Sequence, residues 1–490
     1  MILPKEKINR YLRHIILPEI SGEGQKKIIE ASVLIYAPEI EAASSLIYYL
    51  AASGTGSIQC CLKNTEGFDE LYRNIKEIDN DIELKLYSFE SFDKPSLIVF
   101  ICDYDDINDA VRFMKSTINK NDGFVPLVAA VTKNWRGYIQ IFNDEAELHD
   151  IILKSSTKFD KNKIEEDKMG SILSNCLIGA LTAIEAIKIF INYKNIPKEP
   201  LYFDLLKMEF SNLNDKNFWT AVTEIDKDVV LTTSNKENYI KDLKDSRVLV
   251  VGTGGLGSSA AYALAKTGVG TIGLVDFDIV ELSNLSRQII HSSTSIGILK
   301  VESAKKFINK LNPDVKVETI NARLGLENAL DIVNKYDIIV VAVDNIQTRY
   351  LLNDACYFAD KPLVDGASIR FYGVIMTIIP KVSPCYRCVF DVSEKSDIMM
   401  TCSEAGVLGP VPGAMGFIQA AEVIKLLIGE GDPMVNRITY FDALYSDFET
   451  LKIEKNTECK LCGNTPKISS LSEYQILCSR EANAIDCVEK

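Results

Sequence analysis

The segment that decides the fold is Arg247-Val-Leu-Val-Val-Gly252-Thr-Gly254-Gly255-Leu-Gly257. Its Val-Leu-Val-Val run predicts a buried strand, and the glycines predict a tight turn into a helix. Such glycines let the backbone approach a phosphate group that faces the helix N-terminus. Because most turns of this kind belong to NAD or FAD binders, the segment predicts a nucleotide site without choosing the nucleotide.

Charged residues further along the chain favour a triphosphate. Asp276 lies 19 residues after Gly257, where a ribose-binding carboxylate is expected for either kind of nucleotide. Arg287 and Lys300 supply two cations, which binding of a dinucleotide does not require. Two cations are suited to a triphosphate, because they neutralise the charge that builds up as pyrophosphate departs. On spacing alone they could also be a surface salt bridge and a solvated lysine. Asp344 ends the apolar strand DIIVVAVD and is placed to bind magnesium at the sheet edge.

The chain also repeats itself. YLAASGTGSI, ending at Ile58, resembles ALAKTGVGTI, ending at Ile272. Three more pairs follow in the same order: VPLV and KPLV, AIEAIKIF and AAEVIKLL, and Phe203-Asp204 and Phe441-Asp442. Both copies alternate apolar strands with amphipathic helices, which predicts two α/β, Rossmann-like domains with mostly parallel sheets.

The two copies differ at the expected nucleotide site. The first has Ala37-Pro-Glu39-Ile-Glu41 in place of the glycines, and it is 27 residues shorter between Gly54 and Asp103 than the second is between Gly268 and Asp344. We expect the missing residues to include the counterparts of SNLSRQ and Lys300. The first copy is therefore expected to keep the fold without binding nucleotide, although it could bind another ligand in the same cleft. A polar linker at about 212–238 suggests domains at 1–225 and 226–490.

Composition narrows the class of protein. With 490 residues, 47% hydrophobic and 25% charged, the chain is expected to be globular with two domains. A net charge of −14 argues against a nucleic-acid partner, since phosphate binding needs clustered lysine and arginine. No apolar run approaches the length of a bilayer span, and the N-terminus lacks a signal-peptide pattern, so we expect no membrane association and a cytoplasmic location.

These motifs together carry a family resemblance. Through GTGGLG, DFDIVELSNLSRQ, GILKVESA, VDN, CYRC, TCSEAGV and CKLCG, residues 240–478 resemble the ThiF/MoeB/HesA adenylyltransferases, the core shared with ubiquitin-activating enzymes. The resemblance implies ATP, Mg²⁺ and transfer of AMP to a C-terminal glycine carboxylate, usually of a ubiquitin-like sulfur carrier. It assigns the nucleotide, phosphates and metal to residues Gly252, Gly254, Gly255, Gly257, Asp276, Asn284, Arg287, Lys300, Asp344 and Asn345.

The start of the chain, RYLRHIILPEISGEGQ, resembles the arm of the same family. In homodimers of the family this arm lends an arginine, matching Arg13, to the partner's active site. The second half has ENYIKDLKDSRVLV instead, so one chain carries one arm and one intact site. We therefore expect an intramolecular pseudo-dimer; the simpler alternative is that Arg13 is a surface arginine.

Two CxxC motifs, Cys385–Cys388 and Cys459–Cys462, each offer two thiolates for tetrahedral zinc. Their separation of 74 residues leaves redox chemistry or chance open on spacing alone, whereas the resemblance implies a structural four-cysteine Zn²⁺ site. Cys402 occupies the position at which some family members form a thioester or acyl-disulfide. It is a candidate nucleophile, with a buried structural cysteine as the alternative.

The function expected from the sequence is ATP-dependent activation of the C-terminal carboxylate of a ubiquitin-like or sulfur-carrier protein. Modification of a ribosomally made peptide with a free C-terminus is a second possibility. A non-catalytic nucleotide-binding scaffold and a dehydrogenase are the remaining rivals, which ATP turnover and NAD binding would distinguish. Further oligomerisation is left open.

Overall fold

A computed structural model describes residues 3–87, 94–118, 124–144, 167–197, 199–213, 243–390 and 405–471. The described chain forms two eight-stranded sheets. The strands of the first are β1 (Ser32–Ala37), β2 (Ser57–Leu62), β3 (Glu83–Leu86), β4 (Leu97–Asp103), β5 (Leu127–Lys133), β6 (Arg136–Phe142), β7 (Leu201–Asp204) and β8 (Glu209–Asn212). Those of the second are β9 (Arg247–Val251), β10 (Thr271–Val275), β11 (Lys316–Ile320), β12 (Ile338–Val341), β13 (Leu363–Ile369), β14 (Tyr372–Ile378), β15 (Arg437–Asp442) and β16 (Asp447–Lys452).

The α-helices connect and cover these strands. In the first half they are α1 (Lys5–Arg10), α2 (Leu12–Ile15), α3 (Ser21–Glu30), α4 (Ile40–Ser53), α5 (Phe68–Ile78), α6 (Ile107–Ile118) and α7 (Lys168–Phe190). In the second half they are α8 (Gly255–Thr267), α9 (Lys300–Leu311), α10 (Ala329–Val333), α11 (Ile346–Ala359), α12 (Tyr386–Val389) and α13 (Pro410–Ile428). Short 3₁₀ turns occupy Tyr104–Asp106, Leu282–Asn284 and Ser293–Ser295.

Both sheets have the same strand order. The first runs β3-β2-β1-β4-β5-β6-β7-β8 and the second β11-β10-β9-β12-β13-β14-β15-β16. In each, the first five strands are parallel and the last three antiparallel. Strand order reverses between β9 and β12, which is the point where parallel α/β sheets open a crevice for ligands. The predicted fold class, two Rossmann-like α/β domains, is confirmed.

The sequence repeats occupy matching places in the two sheets. Gly54 and Gly268 end α4 and α8 with φ of 89° and 83°, a left-handed conformation that favours glycine. Buried lysine–glutamate pairs one helical turn apart lie in α7 (Lys188–Glu185, 2.9 Å) and α13 (Lys425–Glu422, 2.7 Å). Equivalent positions thus carry equivalent local geometry.

The two halves differ in the segment between the second strand and the helix that follows it. Only residues 63–67 separate β2 from α5, whereas residues 276–299 separate β10 from α9. The SNLSRQ segment therefore has no counterpart between β2 and α5. The helix itself is not missing, because α5 holds the place of α9 with Phe68 at its first position instead of Lys300. The first half therefore keeps the helix but has no lysine at the position that matches Lys300.

A continuous apolar core joins the two halves. Helices α4 and α7 pack against each other, as do α8 and α13, and α7 also packs on α13. Tyr48 meets Tyr262 edge to face at 5.9 Å, and Phe210 stacks on Phe448 at 4.1 Å. Buried Lys188 donates across the junction to the Ala443 carbonyl at 2.9 Å. The proposed boundary at residues 225 and 226 lies outside the described residues.

Two helices are long and apolar enough to cross a membrane by length and composition alone, whereas no apolar run of that length is expected from the sequence. They are Lys168–Phe190 and Pro410–Ile428, with mean hydropathy of 1.6 and 1.5. In each, 89% of the apolar window is buried within the protein, which is the usual situation of a core helix. Both belong to the core between the halves.

Candidate active site

The glycine loop between β9 and α8 has three glycines, Gly252, Gly255 and Gly257, at which a side chain would meet close contacts. Gly252 has φ of 89°, and a Cβ there would lie 2.7 Å from the Ala342 carbonyl oxygen. A Cβ on Gly257 would clash with the Gly252 carbonyl, and one on Gly255 would lie 2.9 Å from Pro412. The loop therefore brings bare backbone to the N-terminus of α8, where N–H groups and the helix dipole attract anions.

Asp276 follows β10 and organises this loop. Its Oδ2 accepts hydrogen bonds from the backbone N–H and the hydroxyl of Thr253, at 2.7 and 2.9 Å. Its Oδ1 accepts from the N–H of Asp278 at 3.0 Å. The predicted ribose-binding carboxylate thus lies directly beside the glycine loop, because β9 and β10 are adjacent parallel strands.

Lys300 reaches the same place from the start of α9. Its side chain is buried, and Nζ lies 2.8 Å from Asp278 Oδ2. Gly254, Thr253, Asp276, Asp278 and Lys300 therefore form one connected group at the carboxyl end of the sheet. An ammonium held there by a single exposed carboxylate can exchange that partner for a phosphate oxygen.

The SNLSRQ segment lies over the glycine loop. Asn284 Oδ1 accepts from the Glu281 N–H at 2.9 Å and fixes the 3₁₀ turn. Arg287 Nη1 donates to the Ser283 carbonyl at 2.8 Å. A Cβ on Gly255 would lie 3.7 Å from Arg287 Cγ, so this arginine borders the N-terminus of α8.

Asp344 and Asn345 occupy the end of the neighbouring strand β12. Asp344 is exposed, and Asn345 caps α11 by accepting from the Thr348 N–H at 2.8 Å. Arg349, which sequence reasoning missed, pairs with buried Asp365 at 2.6 Å and donates to the Gly366 carbonyl. Burial raises the pKa of Asp365, and the Arg349 charge opposes this effect. The sequence feature that could have indicated this ion pair is the aspartate within the apolar strand LVDGASI.

Thr253 and His291 were also missed as parts of the site. Both are buried, and His291 Nε2 lies 3.1 Å from the Thr253 carbonyl oxygen. The sequence offers little indication of either: Thr253 stands between glycines, and His291 is the third residue after SNLSRQ.

The N-terminal arm meets the second half beside Arg287. The N–H of Gly409 donates to His14 Nε2 at 2.9 Å, so Nδ1 carries the proton and donates to Gln25 Oε1 at 3.0 Å. The N–H of Val407 donates to the carbonyl of Arg13 at 3.1 Å. Burial lowers the pKa of His14 to about 4, and the Arg287 charge acts in the same direction. The arm is thus close to Arg287.

Asp79, at the end of α5, holds the other end of the arm. It accepts from Tyr11 at 2.9 Å and forms ion pairs with Lys7 at 3.1 Å and Arg10 at 3.3 Å. Neighbouring cations, Arg10 first, lower the pKa of Asp79 against the opposing effect of burial. The arm is therefore fixed at both ends, once in each half.

The four predicted metal ligands converge. The sulfur atoms of Cys385, Cys388, Cys459 and Cys462 all lie within 4.8 Å of one another, and the closest pairs are 3.3 to 3.9 Å apart. Zinc–sulfur bonds of about 2.3 Å give a tetrahedron with edges of about 3.8 Å, so the arrangement fits Zn²⁺. Cys402, the candidate nucleophile, lies outside the described residues.

Comparison with known proteins places this geometry in a family. The model of the ThiF family matches residues 227–461. The SAMP-activating enzyme E1 of Haloferax volcanii is 46% identical over 221 residues, which cover 45% of this chain and 82% of that protein. The chain belongs to the ThiF family. This confirms the family resemblance of the second half.

Other ThiF-family relatives are longer than the region they share with this chain. The adenylyltransferase and sulfurtransferase MOCS3 of Culex quinquefasciatus is 39% identical over 266 residues, covering 54% of this chain and 60% of that protein. MOCS3 of Dictyostelium discoideum is 41% identical over 250 residues, 50% of this chain and 59% of that protein. The match to the crystal structure of PaaA covers 44% of this chain and 76% of that one at 22% identity, with a TM-score of 0.39.

Proposed function

We propose that this ThiF-family chain uses ATP to adenylate the C-terminal carboxylate of a ubiquitin-like or sulfur-carrier protein. The observation that carries the proposal is one connected group at the carboxyl end of the second sheet, formed by the glycine loop, Thr253, Asp276, Asp278 and Lys300. Relatives named adenylyltransferase and SAMP-activating enzyme support the same chemistry.

In the proposed reaction a carboxylate oxygen of the carrier attacks the α-phosphorus of ATP. The bond from that phosphorus to the bridging oxygen breaks, and acyl-adenylate and pyrophosphate are formed. The α8 N-terminus and Lys300 hold the phosphates, and Arg287 at the rim stabilises the charge that gathers on pyrophosphate. Asn284 stabilises the 3₁₀ turn that precedes Arg287, and Asn345 caps the N-terminus of α11.

Asp344 is the proposed magnesium ligand. Its exposed carboxylate stands at the carboxyl end of β12, next to the strand that leads into the glycine loop, and oxygen donors are what Mg²⁺ requires. A bound Mg²⁺ would neutralise phosphate oxygens during the transfer.

We propose that the first half has lost nucleotide binding. At the start of α4, where phosphate would bind, Glu41 pairs with Lys266 of the second half. At the end of β4, Asp103 and Asp105 pair with Lys133 at 3.4 and 2.8 Å. The Glu41 carboxylate at the helix start repels a triphosphate, and the ammonium of Lys133 is already paired with carboxylates of its own half.

The first half is instead proposed to serve as the second member of an intramolecular pseudo-dimer. Its support is the matching strand order, the shared core and the arm whose His14 meets Gly409 beside Arg287. In this arrangement Arg13 contributes late, to the charge on departing pyrophosphate.

The four cysteines are proposed to bind a structural Zn²⁺. They join the residues after β14 to the C-terminal segment and pack against Leu461 and Ile468, so the metal would stabilise this part of the fold. The described cysteines are free thiols, which is compatible with a reducing, cytoplasmic location.

The test is ATP–pyrophosphate exchange with candidate carriers and peptides, because exchange reports acyl-adenylate formation directly. Exchange that requires a folded carrier with a free C-terminal glycine supports the proposal. Exchange with short peptides alone would move the substrate to ribosomally made peptides. ATP binding without exchange for any substrate would indicate a binding scaffold.

A further inference from the structure

His291 connects the two elements that are proposed to bind phosphate. The residue is 2% exposed, and its ring lies between the glycine loop and α9. Nε2 is 3.1 Å from the carbonyl oxygen of Thr253, and Nδ1 is 2.9 Å from the hydroxyl of Ser303. Ser303 stands three residues after Lys300 on the same helix, so both side chains occupy one helical face.

The two contacts determine the tautomer of the ring. A carbonyl oxygen only accepts hydrogen bonds, so Nε2 must carry the proton and donate to Thr253. Nδ1 then accepts, and the Ser303 hydroxyl donates to it. His291 is therefore neutral and fully engaged. Burial, assisted by the charge of Lys300, lowers the pKa of this imidazole to about 4 and keeps it neutral near pH ~7.

Thr253 is consequently held from two sides. Asp276 accepts from its N–H and hydroxyl, while its carbonyl accepts from His291 and, at 3.2 Å, from the Ser258 hydroxyl. The carbonyl of Thr253 and the N–H of Gly254 belong to one planar trans peptide and point in opposite directions. Directing the carbonyl to His291 therefore fixes the direction of the Gly254 N–H, at the mouth of α8.

We infer that His291 is a positioning residue for the nucleotide phosphates. It fixes the orientation of the Thr253–Gly254 peptide and connects that peptide, through its hydrogen bond with Ser303, to the helix that starts with Lys300. The inference rests on the proposed use of ATP. It gives His291 no contact with the substrate; the effect passes through the glycine loop.

The experiment compares full-length variants at position 291 by calorimetric binding of ATP and of adenosine. His291→Leu removes both hydrogen bonds. His291→Gln keeps an amide donor at the reach of Nε2, whereas His291→Asn keeps polar atoms only at the reach of Nδ1. Thr439→Val is the matched control, because it removes a buried neutral hydrogen bond of 2.8 Å to Thr450 on β15 and β16, outside the site.

His291→Leu is expected to bind ATP about tenfold more weakly, because the Thr253 carbonyl then keeps only the Ser258 hydroxyl as a donor and its peptide is no longer tied to α9. Adenosine affinity should be unchanged, since it has no phosphate. His291→Gln should recover most of the ATP affinity, His291→Asn should not, and Thr439→Val should match the wild type. Thermal unfolding of each variant shows whether it is folded.

A change in fold stability alone would lower both affinities together, so an unchanged ratio of ATP to adenosine affinity in His291→Leu would overturn the inference. If that variant does not fold, equal ratios in His291→Gln and His291→Asn would overturn it. Wild-type protein that binds no ATP would overturn the proposed function and, with it, the role of His291. If the wild type binds ATP and the variants at position 291 bind it equally well, the inference about His291 is overturned while the proposed function stands.

Discussion

Acidification should weaken the attachment of the N-terminal arm through one buried histidine. His14 is fully buried and neutral, because Gly409 donates to its Nε2 and its own Nδ1–H donates to Gln25. Its pKa is lowered from 6.5 to about 4 in the folded chain. Between these values the unfolded chain binds a proton that the folded chain does not. Stability contributed by this group is therefore complete above 6.5 and is lost as the pH falls toward 4.

The magnitude follows from the two pKa values. From pH ~7.5 to pH ~5.5 the His14 contribution to the free energy of unfolding should fall by about 1.3 kcal/mol. His14→Gln removes the titration while leaving an amide oxygen at the reach of Nε2 to accept from Gly409. Its stability should therefore fall by about 1.3 kcal/mol less than that of the wild type over the same interval.

Urea unfolding of both proteins at the two pH values measures this difference, with fluorescence and circular dichroism followed together to verify a single transition. Other acid-sensitive groups, including His291 with its similarly lowered pKa, are present in both proteins and cancel. An equal loss of stability in wild type and His14→Gln would refute the assignment of His14 as a buried neutral acceptor.

Three further variants test the proposed chemistry. Asp344→Ala should abolish pyrophosphate exchange without changing thermal stability, because the carboxylate is exposed; exchange within a few-fold of wild type would remove it from the mechanism. Cys385→Ser should lower both the zinc content and the melting temperature, and purified wild type without stoichiometric zinc would contradict the metal assignment. Arg13→Ala should slow exchange by about 10²–10³ while ATP affinity changes little, and a normal rate would show that the arm donates no arginine.

Much of the architecture was predictable because it depends on local pattern. Apolar runs, glycines and the repeat from Gly54 to Gly268 identify strands, turns and duplication without knowledge of tertiary contacts. The site residues at strand ends follow from parallel order, which brings Gly252 and Asp276 to one edge. The convergence of two cysteine pairs 74 residues apart was inferred from family likeness, because spacing alone left it open.

The rest depends on contacts between distant segments. Nothing in the sequence indicates that His14 accepts a hydrogen bond from Gly409, 395 residues away. The same holds for the contacts of Asp79 with Tyr11, Lys7 and Arg10.

The hydrogen bond between His14 and Gly409 joins residues of one polypeptide, and this has a consequence for behaviour in solution. An arm supplied by a separate subunit leaves when a dimer dissociates, whereas a tethered arm remains at a fixed effective concentration. Occupancy of this contact should not change on dilution. Mixing two differently damaged chains should not restore a complete site by subunit exchange, since each chain holds its own arm.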